Sequence, residues 1–233
     1  MKLRSKLTVL ALVSVLILTV FSGCQGRETP EESSESVPSL PSSSSSSSSV
    51  ASSAPEVVDT VEKIIIDYVD AVAEKKELNS DTVGWLHIPG SIIDDVVLCR
   101  TDSNQYYMRL NFEQKKDFNG VYYADKRSIF GTGTREELGV NTCIYGHALT
   151  DNEDSPNYSI RFGPLHDFRD PDMAEEMPYL CFTTEKENLV FEIFAVFVAN
   201  NDNADVPYNR GDIPAAEFCE MVRTEILPRS IYD

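Results

Sequence analysis

Asn141-Thr142-Cys143-Ile144-Tyr145-Gly146-His147 is a strand-like run of small and apolar residues that ends on a histidine beside a glycine. An imidazole titrates near neutral pH and can give or take a proton, although a lone histidine at a strand end is more often structural or solvated. Strand alternation places Cys143, Tyr145 and His147 on one face. A thiol there invites a thiolate and imidazole pair, but four residues of strand separate Cys143 from His147 by roughly 13 Å. A working pair needs about 3–4 Å. Cys99, Cys143 and Cys181 lie in apolar, strand-like runs and read as buried free thiols. A cysteine protease pairing His147 with Cys181 or Cys219 would require this very chain to hydrolyse peptides. His87, inside an early strand, and His166, on a short helix, have no partner identifiable from sequence. The cysteine spacing matches no zinc pattern and no compact disulfide framework. Asp151-Asn152-Glu153-Asp154 lacks the spaced ligands and glycine of a calcium loop. No metal site is expected.

The elements that must position His147 are mostly short β-type runs divided by turn residues: Val83–Ile88, Ile92–Cys99 after Pro89-Gly90, Gly120–Ala124 and Asn141–Leu149. Tyr179–Thr184 and Leu189–Ala199, separated by Glu185–Asn188, read as a hairpin. Val57–Glu77 carries Val58, Val61, Ile65, Tyr68, Val69 and Val72 at three- and four-residue spacing, an amphipathic helix leading into the domain. A short helix is expected around Gly163–Phe168, ending before Pro171, and a longer one over Ile213–Leu227, stopped by Pro228. The domain is mainly β, a barrel or a sandwich.

Lys2, Arg4 and Lys6 precede an apolar run from Leu7 to Phe21, the layout of an export signal. The run is about fifteen residues, short of the roughly 18–20 that cross a membrane unaided, so a cleaved signal is expected, with a signal-anchor helix as the alternative. Phe21-Ser22-Gly23-Cys24 resembles the lipobox of bacterial lipoproteins, which implies a lipidated Cys24 and a protein held on the outer face of a membrane. From there to about Pro55 the composition collapses to Ser, Glu and Pro, with an unbroken serine run from Ser42 to Ser49. Such a segment cannot bury enough apolar surface to order itself and reads as a tether. The expected organisation is a signal peptide over 1–23, a tether over 24–55, a helix over 56–79 and one domain over 80–233. The formal charge of −18 argues against nucleic acid and against docking on anionic lipid.

Gly84-Trp85-Leu86-His87-Ile88-Pro89-Gly90-Ser91-Ile92-Ile93-Asp94 resembles the opening of sortase domains. Tyr106-Tyr107-Met108, Gly120-Val121-Tyr122-Tyr123-Ala124-Asp125, Ile144-Tyr145-Gly146-His147 and Phe162-Gly163-Pro164-Leu165 follow in that family's order. An N-terminal helix and a helix in the loop after the 189–199 strand make the likeness one to class B sortases.

The resemblance implies a closed β-barrel enzyme that cleaves a sorting signal after threonine, holds the acyl group as a thioester on a cysteine and passes it to a cell-wall or protein amine. It implies His147 as the catalytic histidine, Asn104 and Met108 as residues lining the substrate groove, and no cofactor. The implied partners are surface proteins carrying a sorting signal and a peptidoglycan or pilin amine. The departure is the nucleophile: the family's late Thr-Leu-x-Thr-Cys strand, and the arginine after it, have no counterpart between His147 and Asp233. Arg210, Arg223 and Arg229 have no claim to the oxyanion role. The chain is therefore expected to end before the last strands of the barrel and to be inactive by itself. A surface lipoprotein that uses a sortase-like barrel only to bind peptides is the alternative.

Overall fold

The computed structural model describes residues 65–199 and 211–232. The expected signal peptide, Cys24, the tether, the first residues of the expected helix and Arg210 lie outside the described residues.

Six strands form one sheet in the order β4-β3-β2-β1-β5-β6, curled into a half-barrel. They are β1 (Thr82–His87), β2 (Asp94–Cys99), β3 (Tyr122–Ala124), β4 (Ile144–Tyr145), β5 (Tyr179–Thr183) and β6 (Asn188–Glu192). Neighbours pair antiparallel, except β2 and β3, which run parallel. A parallel pair needs a long crossover, and here it carries the 3-10 helix Tyr106–Arg109 across the sheet.

The sheet is buried on both faces, so β2 reads as a continuous apolar run rather than an alternating one. Val97 packs inward with Leu86, Ile88, Tyr122, Phe162 and Phe182. Val96 and Leu98 face outward and are covered by Tyr107, Val121 and Trp85. A second cluster joins Cys143 and Phe197 to Phe218, Met221, Val222 and Ile226.

Several expected elements differ in extent. The N-terminal helix α1 spans Val69–Leu78, because Tyr68 is pinned in a non-helical conformation. Its ring stacks on Trp85 at 4.6 Å and its hydroxyl donates to Asp94 at 2.7 Å. The run expected as a strand over 189–199 ends as a strand at Glu192, with one further hydrogen bond from Ile193 N to the Pro178 carbonyl at 2.8 Å. Beyond it, the Val196 carbonyl accepts a hydrogen bond from Ile231 N at 2.8 Å, so the C-terminal segment takes the place of a neighbouring strand. β4 is likewise far shorter than expected. The helix Gly163–Arg169 is 3-10 and is followed by α2 (Pro171–Glu176), so Pro171 opens a helix instead of only ending one. The helix expected over Ile213–Leu227 is α-helical only at α3 (Ala215–Met221) and continues as a π-helical turn, Val222–Ile226, then a 3-10 turn, Leu227–Arg229. Pro228 has no N–H to return to the preceding turn and its ring crowds the carbonyl there. The edges of the sheet are β4 and β6, so among the described residues the barrel is open.

Candidate functional site

His147 lies two residues past the end of β4, after Gly146. Its carbonyl accepts from Phe162 N at 2.8 Å, fixing the backbone. Gly146 allows this: a Cβ there would meet the Phe162 ring at 2.7 Å and the Tyr122 ring at 2.9 Å. The crossover then delivers the decisive contact, between His147 Nε2 and the Met108 carbonyl oxygen at 2.8 Å. A carbonyl can only accept, so Nε2 carries the hydrogen and, in the neutral ring, Nδ1 is the basic nitrogen.

The Met108 carbonyl is placed by Gly120, whose φ is +60° and where a Cβ would lie 2.7 Å from the carbonyl oxygens of both Met108 and Tyr107. Only glycine adopts that conformation freely and leaves the approach open.

Burial holds the His147 imidazole below its ordinary value. The Met108 hydrogen bond works in the other direction, and the charges of Arg109 and Arg161 add to the depression. Arg161 has φ of +52°, in the left-handed region that costs a side-chain-bearing residue about 1 kcal/mol or more. It is held there by hydrogen bonds from its guanidinium to Gly120 O at 2.9 Å and Asp95 at 2.6 Å, and by Tyr122 OH donating to its carbonyl at 2.9 Å. Arg109 donates to the Phe118 carbonyl and lies 4.4 Å over the Phe118 ring.

Of the residues expected from sequence, His147 and Met108 meet directly, through the Met108 backbone. Asn104 sits farther along the crossover with its amide engaged at both ends: Nδ2 donates to Asp125 at 2.8 Å and Oδ1 accepts from Lys126 N at 2.7 Å. The arginines beside His147, Arg109 and Arg161, were not singled out in the sequence. Their positions next to Met108 and next to Phe162-Gly163 are the signal that could have found them. Arg223 is exposed and paired with Glu220, and Arg229 is exposed.

Burial pushes the thiol of Cys99 up to about 11, aided by Asp125 and Asp81, that of Cys143 up to about 12 and that of Cys181 up to about 11. These are protonated packing thiols, not nucleophiles. Cys143 faces the α3 cluster beside Tyr145, as alternation requires. Cys219 is exposed on α3. His166 is buried with Nδ1 unpaired, and His87 lies under Tyr68, beside Asp94. Asp151 to Asp154 are all exposed.

No family model matches the chain. Sortase B of Listeria monocytogenes is 29% identical over 163 residues, covering 70% of this chain and 60% of the relative. Sortase B of Staphylococcus aureus is 25% identical over 122 residues, 52% of this chain and 45% of the relative. The chain thus spans about half to three fifths of the curated relatives it matches. Among solved structures, a Staphylococcus aureus sortase B-substrate complex superposes with a TM-score of 0.58 at 20% identity, over 76% of this chain and 73% of that one. Sortase B complexed with triglycine gives 0.59 at 20% identity, over 76% and 75%. Sortase B from Listeria monocytogenes gives 0.54 at 28% identity, over 69% and 83%. Sequence relationship and fold together make this chain similar to the class B sortases.

Proposed function

We propose that the chain carries the acid-base half of a cysteine transpeptidase that cleaves a sorting signal after threonine and joins the acyl group to an amine. The observation that carries this is the seating of His147 on the Met108 carbonyl, with Nδ1 left as its basic nitrogen, within a class B sortase fold. A thiolate attacks the threonine carbonyl carbon, the C–N bond breaks, and the imidazolium gives its proton to the departing amine, leaving a thioester. An incoming amine then attacks the thioester, loses a proton to the imidazole and releases the thiolate. The lowered proton affinity of His147 favours release of its proton to the leaving amine, while a thiolate beside it would hold the ring charged until then. Arg109 and Arg161, each already bonded elsewhere, act on His147 through their charge.

None of the described cysteines suits the nucleophile's role: three are buried and protonated, and Cys219 lies on α3. The proposed nucleophile lies outside the described residues, in keeping with a chain that spans only about half to three fifths of the relatives it matches. A strand on the β4 edge would run beside the segment that ends at His147. The complexes of Staphylococcus aureus sortase B with a substrate and of a sortase B with triglycine support a peptide donor and an amine acceptor. The proposed setting is the outer face of a bacterial membrane, with Cys24 lipidated or the first residues acting as a signal anchor. Among the described residues no helix is long and apolar enough to cross a membrane, and mass spectrometry of the mature N-terminus decides between these attachments.

The test compares this chain with a version extended through the gene, using a panel of Thr-Gly and Thr-Asn peptides and mass spectrometry of the acyl-enzyme. The expected result is no turnover by the chain alone and a thioester on the extended protein. Turnover by the chain alone that is abolished by Cys181→Ala or Cys219→Ala overturns the assignment of roles. An extended protein that binds peptide without acylation makes it a binding module.

A further inference from the structure

Asp125, the residue after β3, is fully buried, yet its carboxylate is heavily hydrogen-bonded. It accepts from Asn104 Nδ2 at 2.8 Å, from Tyr145 OH at 2.7 Å and from the Arg127 guanidinium at 2.8 and 2.9 Å. Arg127 N donates to it as well, at 2.9 Å, and Asp125 N donates to the Cys143 carbonyl at 2.8 Å. A buried carboxylate is tolerated only when paired and fully hydrogen-bonded, and this one is.

The two uncharged side chains it grips belong to the two segments that meet at the site. Asn104 leads into the 3-10 helix that presents the Met108 carbonyl. Tyr145 lies two residues before His147, at the end of β4. We infer that Asp125 is the positioning residue of the His147 site: by bridging Asn104 and Tyr145 it sets both partners of the Met108 and His147 hydrogen bond, and so fixes the tautomer in which Nδ1 faces the reaction. Asp125 does not touch the reacting atoms. The Asn104 amide, whose Oδ1 also holds Lys126 N at 2.7 Å, is a strut of this network.

The inference draws its catalytic meaning from the transpeptidase reading, but its test needs neither thiol nor peptide. Imidazole nitrogen-proton correlation spectra of the full chain, which has three histidines, report each ring's tautomer. In the wild type the His147 ring is expected as the Nε2-protonated form, with Nε2–H slow to exchange. Asn104→Ala and Tyr145→Phe each remove one arm of the bridge while leaving the carboxylate and Arg127 in place. Each is expected to lose the slowly exchanging Nε2–H and to mix the His147 tautomers, while His87 and His166 keep their wild-type signals. Asp125→Asn is expected to do the same more completely. If His147 keeps a single tautomer in both Asn104→Ala and Tyr145→Phe, the inference is overturned. It is also overturned if all three histidines change together, since that marks a general structural role. Neither result bears on whether the extended protein acylates.

Discussion

His147, two residues past β4, and His87, at the end of β1, are buried almost equally, at 8% and 9% exposure. Their surroundings are opposite. His147 feels the charges of Arg109 and Arg161 and sets Nε2 on a backbone carbonyl, so in the neutral ring Nδ1 is the basic nitrogen. Beside His87 stands the Asp94 carboxylate, 3.6 Å from Nδ1, and the Tyr68 ring closes over it as α1 docks. Asp94 is shared there with Tyr68 and Trp85, which both donate to it. Burial alone therefore does not separate the histidine proposed to react from the one that packs. The neighbours do: one ring is held by a carbonyl from a distant crossover, the other belongs to the joint between a helix and the sheet.

The comparison breaks most sharply in catalysis. In the extended protein, His147→Ala should slow thioester formation by about 10²–10⁴-fold, the typical worth of a positioned acid-base group, while His87→Ala should change it little. Acyl-enzyme accumulation followed by mass spectrometry measures both, and a comparable loss in the two variants would erase the distinction.

Gly120→Ala is the next largest effect. It forces a side chain into a left-handed conformation against the carbonyls of Tyr107 and Met108, at a cost of about 1–3 kcal/mol. Urea denaturation reads the loss, and the His147 Nε2–H should become exchangeable because its acceptor has been pushed aside. A variant of unchanged stability would show that the 106–109 helix yields freely.

At the other histidine, Asp94→Ala removes the acceptor shared by Tyr68 and Trp85 and should cost about 1 kcal/mol. The loss should appear as faster hydrogen exchange in α1, with the His147 imidazole signals unmoved. Disturbance of His147 would mean that the two regions are coupled.

The smallest expected effect is a pH slope. The folded His147 binds its proton less tightly than the unfolded chain, so between its lowered value and the ordinary 6.5 the unfolded state holds more protons. Stability from this group is complete above about pH 6.5 and is lost as pH falls through the folded value. His166 is lowered by burial, with Arg169 adding to it and Asp151 and Asp167 opposing, and contributes with the same sign. Urea midpoints from about pH 7.5 to 5.5 should fall less steeply in His147→Ala than in the wild type, and equal slopes would contradict the depression.

Much of this molecule is written in local pattern. Ile88 and Ile93, in the Ile-Pro-Gly-x-x-Ile stretch, are fully buried about the turn between β1 and β2. The β5 and β6 hairpin forms where turn residues divide two apolar runs. His147 was legible as a candidate from the Ile-Tyr-Gly-His stretch, although the strand itself stops at Tyr145. What only the tertiary structure decided lies in contacts with no local signature. The Met108 oxygen that fixes the His147 tautomer is a backbone atom 39 residues away, and any side chain at that position would offer the same carbonyl. Arg109 and Arg161 act on the histidine by charge, brought near it by a crossover and a left-handed backbone turn. Asn104 spends its amide on Asp125, which no spacing rule connects to it. Strand lengths were decided in the same way: β4 and β6 stop where ladder partners stop, because a backbone N–H is satisfied by whichever chain is beside it rather than by its own side chain.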